Sequence, residues 1–174
     1  MSKKSHSVFL VDDDPMQIQM LKDHLNDKLA VNITTFSTGE DCLSNLDKNP
    51  DIVVLDYHLN SVQKEAKNGL EILRTIKSRN PSTEVIILSG QDKIEVAVET
   101  MNNGAFDYVV KNESAFVRVE NKIKNIYKNF KLQDNNKMLK TSLYFVMGVI
   151  VILTIIIVYL WKVGVVTDTN NTQF

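Results

Sequence analysis

The residues with chemistry to offer stand where apolar runs stop. Asp12 and Asp13 follow Val8-Phe9-Leu10-Val11, and Asp56 closes Ile52-Val53-Val54-Leu55. Ser89 follows Val85-Ile86-Ile87-Leu88, and Lys111 follows Tyr108-Val109-Val110. Each alone has a plain explanation: an acid opening a turn, a serine capping a helix, a lysine reaching past the sheet to water. Gathered at one rim, three carboxylates, a hydroxyl and an ammonium have another use. At an effective dielectric near 20, two carboxylates ~4 Å apart repel by about 4 kcal/mol, so a proton or a cation must relieve them. Hard oxygen ligands suit Mg²⁺, which takes one or two carboxylates and fills its shell with water and phosphate oxygens. A lysine and a hydroxyl beside such an ion suit a dianionic phosphoryl group. The chain has no Gly-x-x-x-x-Gly-Lys-Ser/Thr loop, which argues against a nucleotide phosphate. The phosphoryl group then belongs on the protein, at Asp56.

The elements that must position these groups follow from periodicity. Val8–Val11 and Ile52–Leu55 are continuous apolar runs rich in β-branched residues, as in strands buried on both faces of a parallel sheet. Asp14-Pro15 reads as an N-cap and a proline at the first helical position, opening a helix with Ile18, Leu21 and Leu25 on one face. Capping needs one acid, so Asp12 and Asp13 are left over. Residues 31–36 alternate as an edge strand, followed by a helix over 39–46. A polar loop from His58 to Asn68 precedes a helix with Leu70, Leu73 and Ile76, punctuated by Pro81. After the strand at 84–88 comes a helix from about Lys93 to Asn102, with Ile94, Ala97, Val98 and Met101 as its core side; Gly104 breaks it. A last helix runs from Ser114 towards Phe130, with Phe116, Val119, Ile123 and Ile126 at core spacing. Repeated strand–helix alternation predicts an α/β fold with a doubly wound five-stranded parallel sheet and right-handed crossovers. Parallel strands share a direction, so the five groups converge on one edge, where such sheets bind ligands.

Composition narrows the rest. At 174 residues and net charge −1, no whole-chain electrostatic argument favours nucleic acid. Cys42 is the single cysteine, so it has no internal disulfide partner and reads as a small buried hydrophobe in a reducing compartment. His6, His24 and His58 lack metal-ligand spacing. The polar start leads into too few apolar residues for a signal peptide, which keeps this domain in the cytoplasm.

The motifs Val11-Asp12-Asp13-Asp14-Pro15, Val54-Leu55-Asp56-Tyr57, Leu88-Ser89-Gly90 and Gly104-Ala105-Phe106-Asp107-Tyr108-Val109-Val110-Lys111 together resemble the receiver domains of two-component response regulators. The resemblance covers about residues 7–127 and implies a flavodoxin-like fold with strand order 2-1-3-4-5. It implies that Asp56 takes a phosphoryl group from a phosphohistidine of a histidine kinase or phosphotransfer protein. Asp13 and Asp56 would bind Mg²⁺ directly, Asp12 largely through water, and the His58 backbone carbonyl would complete the site. Lys111 would pair with the phosphoryl oxygens, Ser89 would move to hydrogen-bond them, and Tyr108 would turn inward behind. Such a domain is a phosphoacceptor rather than an enzyme, with at most self-catalysed phosphotransfer and autodephosphorylation. A homodimer through the last two helices belongs to the same expectation. Two features depart from the family. The loop 59–68 is several residues longer than usual and has no proline, which bears on partner choice and dephosphorylation. Asn112 stands where the family has a proline in a cis bond, which predicts a trans Lys111–Asn112 link and a shifted lysine.

Leu143 to Trp161 is 19 residues without a charge, roughly 28 Å as a helix and enough to cross the hydrocarbon core. Tyr144 lies at one end, Tyr159 and Trp161 at the other, as interfacial anchors do. Lys128, Lys131, Lys137 and Lys140 precede this run and only Lys162 follows it, which places the receiver on the cytoplasmic side. The expected organisation is a disordered 1–6, a receiver over 7–127, a basic juxtamembrane linker over 128–142, a transmembrane helix over 143–161 and an external tail over 162–174. The linker reads first as solvated, with attraction to anionic lipid the lesser reading. Gly148 has no glycine four residues away, so the small-residue dimerisation motif is missing. Nothing beyond residue 127 has the pattern of a helix-turn-helix, so no nucleic-acid partner is expected. The sequence therefore describes a single-pass protein of the bacterial inner membrane that signals by conformational change without a DNA-binding output domain. The alternative is a phosphorylation-independent docking module tethered at the membrane; a phosphate drain that competes for a kinase shares the first reading's chemistry.

Overall fold

The apolar runs become strands in the computed structural model, which describes residues 6–59 and 68–162. They are β1 (His6–Val11), β2 (Val31–Phe36), β3 (Ile52–Asp56), β4 (Glu84–Ser89) and β5 (Asp107–Val110). Between them lie α1 (Pro15–Lys28), α2 (Gly39–Ser44), α3 (Gly69–Arg79) and α4 (Ile94–Asn102), with α5 (Ala115–Lys162) following β5. A 3₁₀ turn, Leu46–Lys48, succeeds α2, which closes as an α-helix earlier than its apolar spacing suggests. Most of the expected long loop at 59–68 lies outside the described residues, as do most of the expected N-terminal and C-terminal tails.

All five strands are parallel, in the order β2-β1-β3-β4-β5, with flanking helices. Every residue of β3 is buried, as its unbroken apolar run requires of a central strand. Side chains alternate across the sheet. Phe9, Val11, Val53, Leu55, Val85 and Ile87 join the α2 and α3 residues Cys42, Leu43, Leu70, Leu73 and Ile76 in one core cluster. Leu10, Val54 and Ile86 point to the opposite face, and Leu21 and Leu25 of α1 and Val119, Ile123 and Ile126 of α5 are also buried.

Local signals account for the helix starts. Asp14 Oδ1 accepts from the N–H groups of Met16 at 2.8 Å and Gln17 at 3.4 Å, with Pro15 in the first turn. Asn68 and Glu71 form a reciprocal capping box at α3.

α4 corrects the sequence reading. Ile94, Val98 and Met101, expected in the core, are 76%, 52% and 45% exposed. The buried residue is Thr100, whose hydroxyl donates to the Ala97 carbonyl at 2.9 Å, with Val96 and Ala97 half-buried. Apolar residues occur on two sides of this short helix, so apolarity did not decide which side packs. The internally satisfied threonine lets the smaller side face the sheet.

The extent of α5 is also longer than expected. It continues past Phe130 to Lys162: no proline stands between these residues, and the one glycine, Gly148, lies within the helix. By contacts the chain divides into Met1–Ile126 and Tyr127–Phe174. Among the described residues α5 is the one helix long and apolar enough to cross a membrane by length and composition, and none of its most apolar window is buried.

Candidate functional site

The sheet register builds the rim. Val11 lies beside Leu55 in the β1–β3 pairing, so the next residues, Asp12 and Asp56, leave the sheet level with one another. Ser89 pairs with Val110, and the Lys111 N–H donates to the Ser89 carbonyl at 2.7 Å, which pins the end of β5 to β4. The sequence-predicted groups thus come from four strand ends.

Asp12 and Asp56 are 6% and 4% exposed and Asp13 is half-buried. One carboxylate oxygen from each of the three lies within 4.8 Å of the others. Lys111 Nζ donates to Asp12 Oδ2 at 2.7 Å and to Asp56 Oδ2 at 3.0 Å. The Lys111–Asn112 link is trans, since the described residues contain no cis peptide bond. The lysine is nevertheless not displaced from the acids; its long side chain spans the distance to both.

Burial pushes the Asp12 carboxyl above its ordinary value, and the charge of Asp56 adds to this; the Lys111 hydrogen bond opposes both. Burial alone would lower Lys111, but its hydrogen bond to Asp12 and the charge of Asp56 outweigh this and raise it. Asp12 and Asp56 share one ammonium, which leaves an excess of negative charge at the pair that a divalent cation would neutralise. The donors are all oxygen, and around Mg²⁺ at ~2.0–2.1 Å adjacent and opposite ligands stand roughly 3 and 4 Å apart. The observed spacing needs only small side-chain adjustment to fit.

Ser89 is fully buried, and its Oγ accepts from the Gln91 N–H at 3.1 Å. Tyr108 packs against the core cluster and its hydroxyl donates to the Gln91 carbonyl at 2.8 Å. Gln91 thereby joins Ser89 to Tyr108 through its backbone. The His58 N–H donates to Asp56 Oδ1 at 3.2 Å, folding the chain after β3 over the carboxylate.

Sequence reasoning missed Gln91 and Gly69. A Cβ on Gly69 would stand 2.6 Å from both the Asp56 carbonyl oxygen and Tyr57 Cα, and its N–H donates to the Tyr57 carbonyl at 3.0 Å. The start of α3 is thus pressed onto the backbone that carries Asp56. An asparagine N-cap followed by glycine was the available signal. Gln91 gave none, because it acts through backbone atoms that every residue has.

Residues 8–123 match the family model of the response regulator receiver domain. The chain is similar to the probable C4-dicarboxylate response regulator DctR of Bacillus subtilis (strain 168), 29% identical over 113 residues, 64% of this chain and 48% of that one. It is 32% identical over 105 residues to the DNA-binding transcriptional regulator NtrC of Salmonella typhimurium, 60% of this chain and 21% of that one. The chain therefore spans about half or less of the length of these curated relatives. Among solved structures it resembles the response regulator DrrB of Thermotoga maritima, with TM-score 0.63 and 29% identity, covering 72% of this chain and 54% of that chain. A BeF3-activated DrrB receiver domain matches with TM-score 0.62 and 28% identity, over 71% of this chain and 98% of that one.

Proposed function

The chain belongs to the response regulator receiver family, and from that premise we propose that Asp56 is its phosphoacceptor, loaded by a histidine kinase or phosphotransfer protein. The observation that carries this is Lys111 Nζ held between Asp12 and Asp56 at 2.7 and 3.0 Å. An Asp56 carboxylate oxygen attacks the phosphorus of a phosphoimidazole; the P–N bond breaks, and the departing ring nitrogen takes up a proton. Asp13, Asp56 and the His58 carbonyl would hold Mg²⁺, with Asp12 largely through water, and the ion would supply neutralising charge at the phosphoryl oxygens. Lys111, already beside Asp56, follows the new dianion. Ser89 exchanges its Gln91 N–H partner for a phosphoryl oxygen, which loosens the Gln91 carbonyl from the Tyr108 hydroxyl and lets Tyr108 move inward.

The same reading holds the receiver at a bacterial inner membrane through residues 143–161, with the receiver in the cytoplasm. Length, absence of charge and the Tyr144, Tyr159 and Trp161 anchors support it. Output then runs through partner docking or self-association of the last two helices. The outward Ile94, Val98 and Met101 of α4 offer an apolar surface for either.

Incubating residues 1–130 with Mg²⁺ and a small phosphoryl donor should label the wild type and not Asp56→Asn. Wild type that stays unlabelled across several donors and kinases would refute the proposal. The exposed α4 surface also suits a second reading, docking that ignores phosphorylation. Equal partner binding by wild type and Asp56→Asn, without labelling, would establish that instead.

A further inference from the structure

Charge is segregated along the chain. Residues 1–126 carry 19 acidic and 15 basic side chains, net −4, whereas residues 127–142 carry one acidic and four basic, net +3. In the receiver unit Lys77, Lys111, Lys122 and Lys124 are each paired with a carboxylate. Lys128, Lys131 and Lys140 are exposed on a continuous helix, and none has a carboxylate partner among the described residues. Exposed Met138 and Leu139 stand next to Lys140.

We propose that the helical segment before the apolar run binds anionic phospholipid headgroups of the leaflet it enters, chiefly through Lys140. This rests on the reading of residues 143–161 as a membrane span.

Helix geometry ranks the lysines. At ~1.5 Å per residue, Lys140 lies about 4.5 Å before Leu143, Lys131 about 18 Å and Lys128 about 22 Å. The headgroup layer is roughly 5–7 Å deep on each side, and charge is screened over ~8 Å at physiological salt. Lys140 therefore enters the headgroup layer, and Lys131 and Lys128 lie more than a screening length beyond it. Orientation during insertion needs lysines near the apolar end but gives no lasting preference for lipid type. A cation left without a carboxylate at headgroup depth does, because an anionic phosphodiester with no balancing choline is its best available partner. A basic side chain near an anionic surface is worth about fivefold in association.

The test uses the full chain in phosphatidylcholine bilayers containing trace spin-labelled phosphatidylcholine or phosphatidylglycerol. The fraction of each label immobilised beside the protein is compared. Phosphatidylglycerol should be preferred about fivefold or more, with the preference lost in 1 M salt. Lys140→Gln should bring the ratio close to one, whereas Lys128→Gln/Lys131→Gln should change it less than about twofold. Resistance to alkaline carbonate extraction reports the span separately. Equal association of both lipids by a carbonate-resistant chain overturns the lipid proposal and leaves the span intact. Loss of preference only in Lys128→Gln/Lys131→Gln overturns the assignment to Lys140. Extraction by carbonate overturns the span reading, and the lipid proposal with it.

Discussion

Replacing Lys111 with methionine should destabilise the receiver strongly in the absence of divalent cations and far less in their presence. Its ammonium is the close counter-charge to two buried carboxylates, at 2.7 and 3.0 Å, and it is itself only 22% exposed. Without it, Asp12 and Asp56 face one another and Asp13 with oxygens within 4.8 Å. At an effective dielectric near 20, that separation corresponds to about 3 kcal/mol of repulsion for one pair. Removing one member of a buried ion pair typically costs about 3–5 kcal/mol. A proton on Asp12, whose carboxyl is already raised by burial and by the charge of Asp56, offers internal relief. The expected loss is therefore about 3 kcal/mol at neutral pH in EDTA, at the lower end of that range. Methionine keeps the aliphatic stem, so most of the loss is electrostatic. Urea melts of residues 1–130 followed by circular dichroism would measure it. With 10 mM Mg²⁺ the loss should shrink below about 1 kcal/mol, since an ion among the acids does the work of the ammonium. Adding Asp56→Asn to Lys111→Met should recover at least about 1 kcal/mol relative to additivity. A variant as stable as wild type in EDTA, or one that Mg²⁺ stabilises no more than wild type, would refute the view that this lysine balances the site.

The raised Asp12 means that the folded state binds its proton more tightly than the unfolded chain does. The resulting stability is complete below the usual aspartate range and lost as pH rises through the folded value. In EDTA, Asp12→Asn should therefore gain on wild type as pH rises from 4 to 7, and Mg²⁺ should abolish that gain; a flat difference in urea melts would contradict it. Gly69→Ala sets a methyl against the backbone of Asp56 and Tyr57 and should cost about 1–3 kcal/mol and slow phosphoryl labelling. Gly90→Ala, which meets nothing within 4 Å, should leave the melt nearly unchanged; equal melts for both variants would refute the contact. Burial pushes the Cys42 thiol up to about 12, so iodoacetamide at pH 8 should modify it only after unfolding. Rapid modification of the folded chain, followed by mass spectrometry, would show that the α2 core is open.

How far the fold was legible depended on which residues had only one place to go. The unbroken run Ile52–Leu55 suits a strand covered on both faces, and β3 is buried throughout. Asp14-Pro15 left little choice about where α1 begins, and its cap is formed as read. α4 lacked such constraint: Ile94, Ala97, Val98 and Met101 made one apolar side, and Val96 offered another. Thr100, counted as polar, proved to be the buried residue because its hydroxyl is satisfied within its own helix. The end of α5 was hidden for a related reason. Apolar spacing fades after Ile126, but a helix stops only where its backbone is broken or better bonded elsewhere, and no proline between Ala115 and Lys162 breaks this one.

The site was legible where side-chain type and strand end coincided. Asp12, Asp56, Ser89 and Lys111 could be assigned to one rim because parallel strands bring like ends together, and the register then sets Asp12 level with Asp56. Asn112 misled because the family's cis proline looked necessary for the lysine's aim. In the structure the aim comes instead from the Lys111 N–H bonded to the Ser89 carbonyl, a backbone tie that works with the trans link present. The connection from Ser89 to Tyr108 was hidden for the same reason. It passes through the N–H and the carbonyl of Gln91, atoms that no residue name encodes. A hydroxyl at 89 and a phenol at 108 are chemical choices that a sequence records, whereas the wire between them is made of peptide. Only the fold can place that peptide, and it does so by fixing the chain immediately after β4 between the end of that strand and the aromatic ring on β5.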